Sequence, residues 1–245
     1  MKKATVFIIF LCISNITFGQ VFSDYKLKND ARGGRGDIDN QFLSYGYYLG
    51  FNSLDFLFNY RTNNHKDIEV KSGTGFNVGL IGNMKLGKHV DLRFEPGLTF
   101  TTRTLTYPES YTTIDLDFTD TVNSEREVKS TYVYFPLLLK FSTKRLGNFK
   151  PFVLAGASTA INLSSNEKSD DDNLAGKFRM KTNPTFLELG FGIDFYTHYF
   201  KFTPSIRGVF AVSDELVKDK DPNSPWTSNI ASMKTRGFFI NFTFQ

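Results

Sequence analysis

The sequence predicts an all-β fold, an eight-stranded antiparallel transmembrane β-barrel with short periplasmic turns and long extracellular loops. Two observations carry this. Apolar and polar residues alternate with the period of two that a pleated strand imposes. The connections also alternate in length: segments ending at Leu86, Lys144 and Tyr196 turn quickly, whereas those near 61–74, 108–128, 163–182 and 213–232 are long and polar. Short turns on one rim and long loops on the other are the mark of a barrel whose rims face different compartments. An export signal at the start of the chain supplies the address.

Residues 1–19 read as that signal. Lys2 and Lys3 form a basic start, Val6 to Ile13 an apolar run, and Thr17-Phe18-Gly19 ends on a small residue. The apolar run is too short for a spanning helix, which needs about 20 residues. Cys12 is the only cysteine and lies inside the signal, so cleavage leaves no thiol chemistry. Residues 20–41 form a polar leader on the periplasmic side, and 42–245 form the barrel. Gly33-Gly34-Arg35-Gly36 in the leader lacks the Lys-Ser/Thr of a phosphate loop and reads as a tether.

The first strand begins near Phe42 and sets Tyr45, Tyr47, Leu49 and Phe51 on one face. Its next apolar row, Leu54, Phe56, Phe58 and Tyr60, falls in the opposite phase, which predicts a β-bulge or a break at Asn52-Ser53. In the second, Phe76, Val78, Leu80 and Met84 oppose Asn77, Gly79 and Asn83. The third opposes Leu92, Phe94, Leu98 and Phe100 to Asp91, Arg93, Glu95, Thr99 and Arg103. The fourth, about 129–144, is apolar on both faces at its centre, and the fifth, about 149–162, is rich in Ala and Gly and has no clear phase. The sixth sets Leu187, Leu189, Phe191, Ile193 and Phe195 against Glu188, Gly190, Gly192 and Asp194. In the seventh, Phe202, Pro204, Ile206 and Phe210 oppose Lys201, Thr203, Ser205 and Arg207, and in the last Phe238, Ile240, Phe242 and Phe244 oppose Asn241 and Thr243. Pro96, Pro136 and Pro204 fall inside these strands and demand local defects, because proline cannot donate to a ladder and a closed barrel has no edge.

A barrel of eight strands is just wide enough for side chains to fill. The inward charges nearly balance: Asp91, Glu95, Glu188 and Asp194 against Arg93, Arg103, Lys140, Lys201 and Arg207. Unpaired charges in a tight lumen are costly, so these nine residues read as a structural lumen network. The net charge of +4 includes the two signal lysines and argues against a nucleic-acid partner. The 27 Phe and 11 Tyr suit lipid contact, so membrane lipids are the first expected partner. No catalytic, cofactor or metal set emerges. His65, in a long loop, has no partner picked out by spacing, and Asp170-Asp171-Asp172 lacks the spaced oxygens and glycine of a calcium loop. Trp226, the single Trp, lies in the fourth long loop, where it reads as a candidate contact for a protein partner, as packing for the loop itself, or as a contact with lipid headgroups.

Several stretches carry a resemblance. Tyr45-Gly-Tyr-Tyr-Leu-Gly-Phe-Asn-Ser-Leu-Asp-Phe56, Leu92-Arg-Phe-Glu-Pro-Gly-Leu98 and Tyr134-Phe-Pro-Leu-Leu-Leu-Lys140 resemble the Bacteroidetes outer-membrane β-barrel domain. The first of these, with Lys201-Phe-Thr-Pro-Ser-Ile-Arg207 and Ser213-Asp-Glu-Leu216, is similar to the PorT/SprT proteins of type IX secretion and gliding motility. That resemblance implies a noncatalytic barrel in the outer membrane that scaffolds or assembles secretion machinery, with other secretion-system proteins as partners and no cofactor. A generic adhesin- or porin-like barrel without secretion partners, and a rim enzyme acting on lipid or peptide, are the alternatives.

Overall fold

The computed structural model describes residues 41–61, 68–107, 125–169, 178–197, 199–221, 224 and 226–245. The signal, nearly all of the leader, His65 and Asp170-Asp171-Asp172 lie outside them. The described elements are ten antiparallel strands and no helix: β1 (Leu43–Tyr60), β2 (Glu69–Ser72), β3 (Thr74–Lys85), β4 (Val90–Phe94), β5 (Gly97–Thr106), β6 (Glu125–Ser142), β7 (Phe149–Asn162), β8 (Thr185–Tyr196), β9 (Lys201–Ala211) and β10 (Ile230–Phe244). They form eight staves, because β2 runs on into β3 past Gly73 and β4 into β5 past Glu95-Pro96. Each stave pairs with its neighbours, and β1 closes the ring by pairing with both β10 and β3.

The three prolines sit in two local defects. Pro96 lies in the gap between β4 and β5. Pro136 lies opposite that gap, where β6 switches from pairing with β5 up to Tyr134 to pairing with β4 from Leu137. Its carbonyl still accepts the Glu95 N–H at 3.3 Å. At Pro204 the β8–β9 ladder passes from Gly192↔Ser205 to Phe195↔Phe202 with no change of register. The chain therefore forgoes ladder bonds where proline cannot donate and keeps the strands aligned.

Outward side chains form an apolar belt, as lipid contact requires. It includes Tyr47, Leu49 and Phe51 of β1, Phe76 and Leu80 of β3, Leu187 and Phe191 of β8, and Phe238 of β10, all exposed. Neighbouring aromatics stack across strands: Phe76 on Phe100 at 4.6 Å, and Tyr47 on Phe244 at 5.4 Å between centroids. The last residue, Gln245, exchanges backbone bonds with Lys201 at 3.0 and 2.7 Å, so the end of the chain is held in the wall.

The expected break at Asn52-Ser53 does not exist. β1 runs unbroken, in constant register with β10 from Tyr47↔Phe244 to Asn59↔Ser232, and the first irregularity comes only at Asn59/Tyr60. Even-numbered residues face inward throughout, from Tyr48 to Phe56. What changes is the surroundings. Above Phe51 the outward positions turn mostly polar, with Ser53, Asp55 and Asn59 beside exposed Leu57, while inward Leu54 and Phe56 enter buried apolar clusters. The apolar row crosses the wall because the lumen turns apolar there. β7, without a clear phase in the sequence, faces Phe152, Leu154, Ser158, Ala160 and Asn162 inward, all buried.

Candidate functional site: the barrel lumen

The short-turn half of the lumen is packed with charge. Glu95 sits between two arginines: Arg93 Nε lies 2.7 Å from Oε1 and Arg207 Nη1 2.8 Å from Oε2. Arg207 Nε reaches Glu188 Oε2 at 2.9 Å, so Arg207 bridges two carboxylates. Tyr134 donates to Glu188 Oε1 at 2.8 Å, and Ser158 donates to the Tyr134 oxygen at 2.8 Å. Beside this chain, Lys140 Nζ pairs with Asp194 at 2.5 Å, and Thr203 donates to the other Asp194 oxygen at 2.8 Å. Lys201 is buried close enough to Asp194 to act on it electrostatically. All these groups are at least nine-tenths buried.

Alternation of strands puts them there. Arg93 and Glu95 are two apart around Phe94, which faces lipid, and Lys201, Thr203, Ser205 and Arg207 form one inward row of β9. Glycines make room for the bulky members: a Cβ on Gly97 would strike the Tyr48 hydroxyl, and one on Gly192 would strike the Phe152 ring. Alternating large and small inward residues lets a narrow barrel fill itself. The cations also lie against rings, Lys140 4.1 Å from the Phe152 centroid and Arg207 5.6 Å from that of Phe239.

Two of the nine expected network residues stand apart. Asp91 is only half-buried, across the ladder from Lys140 at the short-turn rim. Arg103 is fully buried, but in the long-loop half. Its guanidinium lies 4.0 Å over the Phe56 ring, and none of its nitrogens meets an acceptor in hydrogen-bond geometry among the described residues. Sequence reasoning missed the neutral partners, Tyr134, Ser158 and Thr203. Alternation marks them as inward, but only their places around the ring show what they touch. It also missed the amide belt in which Asn52 donates to Asn77 at 3.4 Å and Asn77 donates to Asn241.

The long-loop half is lined with apolar side chains. Phe56, Leu105, Val128, Ile230 and Met233 from the wall meet Ile68, Tyr107, Phe178, Met180, Leu216 and Trp226 from the connections. The segment after β9 folds inward and is tied to β10: Glu215 accepts from the Thr235 N–H at 2.8 Å and its hydroxyl at 3.0 Å, and Asp214 accepts from the Met233 N–H at 2.9 Å. Arg179 clasps Asp219 at 3.3 Å and the Lys218 carbonyl at 2.8 Å, joining two of the long connections. Burial raises the Glu215 carboxyl above its ordinary range, against the opposing pull of Arg103.

Of the readings open for Trp226, the structure fits packing of the loop and not an exposed anchor for a partner. Trp226 is buried, edge-on to Tyr107 at 4.8 Å between centroids, with Arg126 3.8 Å over its ring. Its place is in the plug, because an indole gains more from this apolar chamber than from water. No group of three or more His, Cys, Asp or Glu placed to hold a metal occurs among the described residues.

A closed antiparallel ring with an apolar exterior and a charged interior is a membrane barrel. Residues 22–217, well over half of the chain, match the model of the outer membrane protein beta-barrel domain. The chain belongs to that family. Its location is accordingly the outer membrane, with the short turns periplasmic and the long loops outside. None of the curated proteins matches the sequence. Similar solved structures include the outer membrane protein OprG from Pseudomonas aeruginosa, at 12% identity over 82% of this chain and 93% of that one, with a TM-score of 0.46. The outer membrane protein AlkL is similar at 11% identity over 82% and 87%, with a TM-score of 0.44. Ail, the attachment invasion locus protein of Yersinia pestis, is similar at 12% identity over 82% and 96%, with a TM-score of 0.36.

Proposed function

We propose that this family member is a noncatalytic outer-membrane barrel that works through its surfaces and not as a conduit. One observation supports the reading above the rest: the Arg93–Glu95–Arg207–Glu188 chain lies across the lumen, buried and mutually paired. Opening a path would separate buried ion pairs, at a cost of several kcal/mol for each charge left alone. The surfaces available for contact are the lipid belt and the outer loops.

The secretion role is a second reading, favoured by the sequence stretches that resemble PorT/SprT, Tyr45–Phe56 and Lys201–Arg207 among them. In this reading the barrel scaffolds or assembles a type IX secretion and gliding apparatus by contact, with other secretion-system proteins as partners. Deleting the gene separates the readings. Loss of cargo from the medium and loss of gliding, with normal lipid composition, supports the secretion role. Normal export and gliding leaves a surface barrel without secretion partners. Altered lipid structures in the deletion strain would contradict the noncatalytic reading.

A further inference from the structure

The short-turn rim carries charge mainly of one sign, and on one side. Two of its turns lie next to each other: 86–89 between β3 and β4, and 143–148 between β6 and β7. They are bound together, since the Ser142 N–H donates to the His89 carbonyl at 2.8 Å and His89 Nδ1 lies 3.0 Å from the Ser142 carbonyl. Lys88 and Lys144 stand exposed on them, with Arg145 beside Lys144 and with Lys85 and Lys150 near the adjoining strand ends. Against these five cations the same stretch sets one carboxylate, half-buried Asp91, which lies across the ladder from Lys85 and Lys140. The third short turn adds no charge at its described residues Thr197, Tyr199 and Phe200.

Both turns are held in shape. The N–H groups of Leu86 and Gly87 donate to the Val90 carbonyl at 3.0 and 2.9 Å, and Leu146 and Phe149 exchange backbone bonds at 2.9 and 3.2 Å. Arg145 Nε donates to the Gly147 carbonyl at 2.7 Å, and its guanidinium lies 4.1 Å from the Tyr196 ring centroid. Charges on a rigid platform lose little freedom on meeting an anion. Beside the turns an apolar row runs across the outward face: Val90 is paired with Phe141 and Phe141 with Val153, the last two exposed. Leu86 and Leu146 are exposed within the turns themselves. An acidic protein would use the cations alone. A ligand that uses both features has an anionic head and apolar tails.

We propose that this patch binds an anionic phospholipid of the periplasmic leaflet, its phosphate held by Lys88, Lys144 and Arg145 and its tails lying along Val90, Phe141 and Val153. The periplasmic rim is then a third contact surface beside the lipid belt and the outer loops. It sets the side of the barrel on which an anionic lipid sits. The site depends on the orientation of the barrel in the membrane alone, and is the same with or without secretion partners.

Photo-crosslinking tests this on the full barrel in phosphatidylcholine nanodiscs. The probes are phosphatidylglycerol and phosphatidylcholine, each with a diazirine in one tail and each added in trace. Phosphatidylglycerol should label 86–90 and 141–153 well above phosphatidylcholine, with no such excess on the outward faces of β9 and β10. Each of K88Q and K144Q, at exposed sites outside the lumen network, should cut that excess roughly fivefold. K129Q, exposed on the outer rim, should leave it intact. In the unaltered barrel, salt at about 1 M should erase the same excess. An excess spread evenly round the belt, or one that survives both substitutions together, overturns the proposal. Equal labelling by the two lipids overturns it as well, and capture of a poly-glutamate peptide by the same turns would then assign the patch to an acidic protein.

Discussion

The two halves of this lumen solve the same problem with opposite chemistry. The periplasmic half fills a narrow tube with charge, each carboxylate of Glu95, Glu188 and Asp194 meeting at least one cation within 3 Å. The outer half fills it with Phe, Leu, Met and Trp, many of them delivered by the loops. The difference teaches where order must come from. A wall made of strands can hold charges in place because every inward position is fixed by two neighbouring ladders. Loop residues are held less closely, and apolar contact tolerates small displacements that an ion pair does not.

The sharpest way to break the contrast is in the charged half. Glu95→Leu should leave both Arg93 and Arg207 facing an apolar side chain and cost roughly 3–5 kcal/mol. A heat-modifiability gel should show unfolding at a clearly lower temperature. Glu188→Leu should do less, because Arg207 keeps Glu95. In the apolar half, Trp226→Ala should cost about 3 kcal/mol, at the low end for such truncations because the loops can close in on the space. That loss should be local: limited proteolysis should cut the outer loops sooner, while the gel shift of the barrel stays put. If Trp226→Ala unfolds the barrel as readily as Glu95→Leu, the halves are not separate units.

Smaller changes sharpen the picture. Thr203→Val removes one donor to Asp194 and should cost about 1 kcal/mol, read as a modest shift in urea midpoint. The pH dependence of the plug comes from Glu215. Its carboxyl is raised in the folded state, so the folded form binds its proton more tightly than the unfolded form. The resulting stability is fully present below the ordinary value of 4.5 and is lost as pH rises through the raised value. Protease protection of the 212–229 connection should therefore decline as pH climbs above that range, and Glu215→Gln should flatten the decline.

Much of this was legible in the chain. Strict alternation in β8 and β9 placed Glu188, Asp194, Lys201 and Arg207 inside, and the topology followed from rims of unequal loop length. Other parts depended on information that periodicity does not carry. Leu54 and Phe56 looked like a change of phase because a period-two pattern reports which residues share a face, not whether that face meets lipid or lumen. Arg103 belonged to the charged row by alternation, yet its height along the axis puts it over Phe56, beyond reach of the carboxylates below. Pairings such as Tyr134 with Glu188, 54 residues apart, follow from the closure of the ring. Trp226 lies in a loop, and no local pattern tells whether a loop folds outward or back into the barrel.

The central claim is that paired charge closes this barrel across its periplasmic half. Conductance across a planar bilayer measures it most directly. Purified barrel should insert without giving a steady ohmic current, and Glu95→Leu, if it inserts, should give noisy, flickering events as the freed arginines move. A stable open-channel current from the unaltered protein at neutral pH would contradict the account.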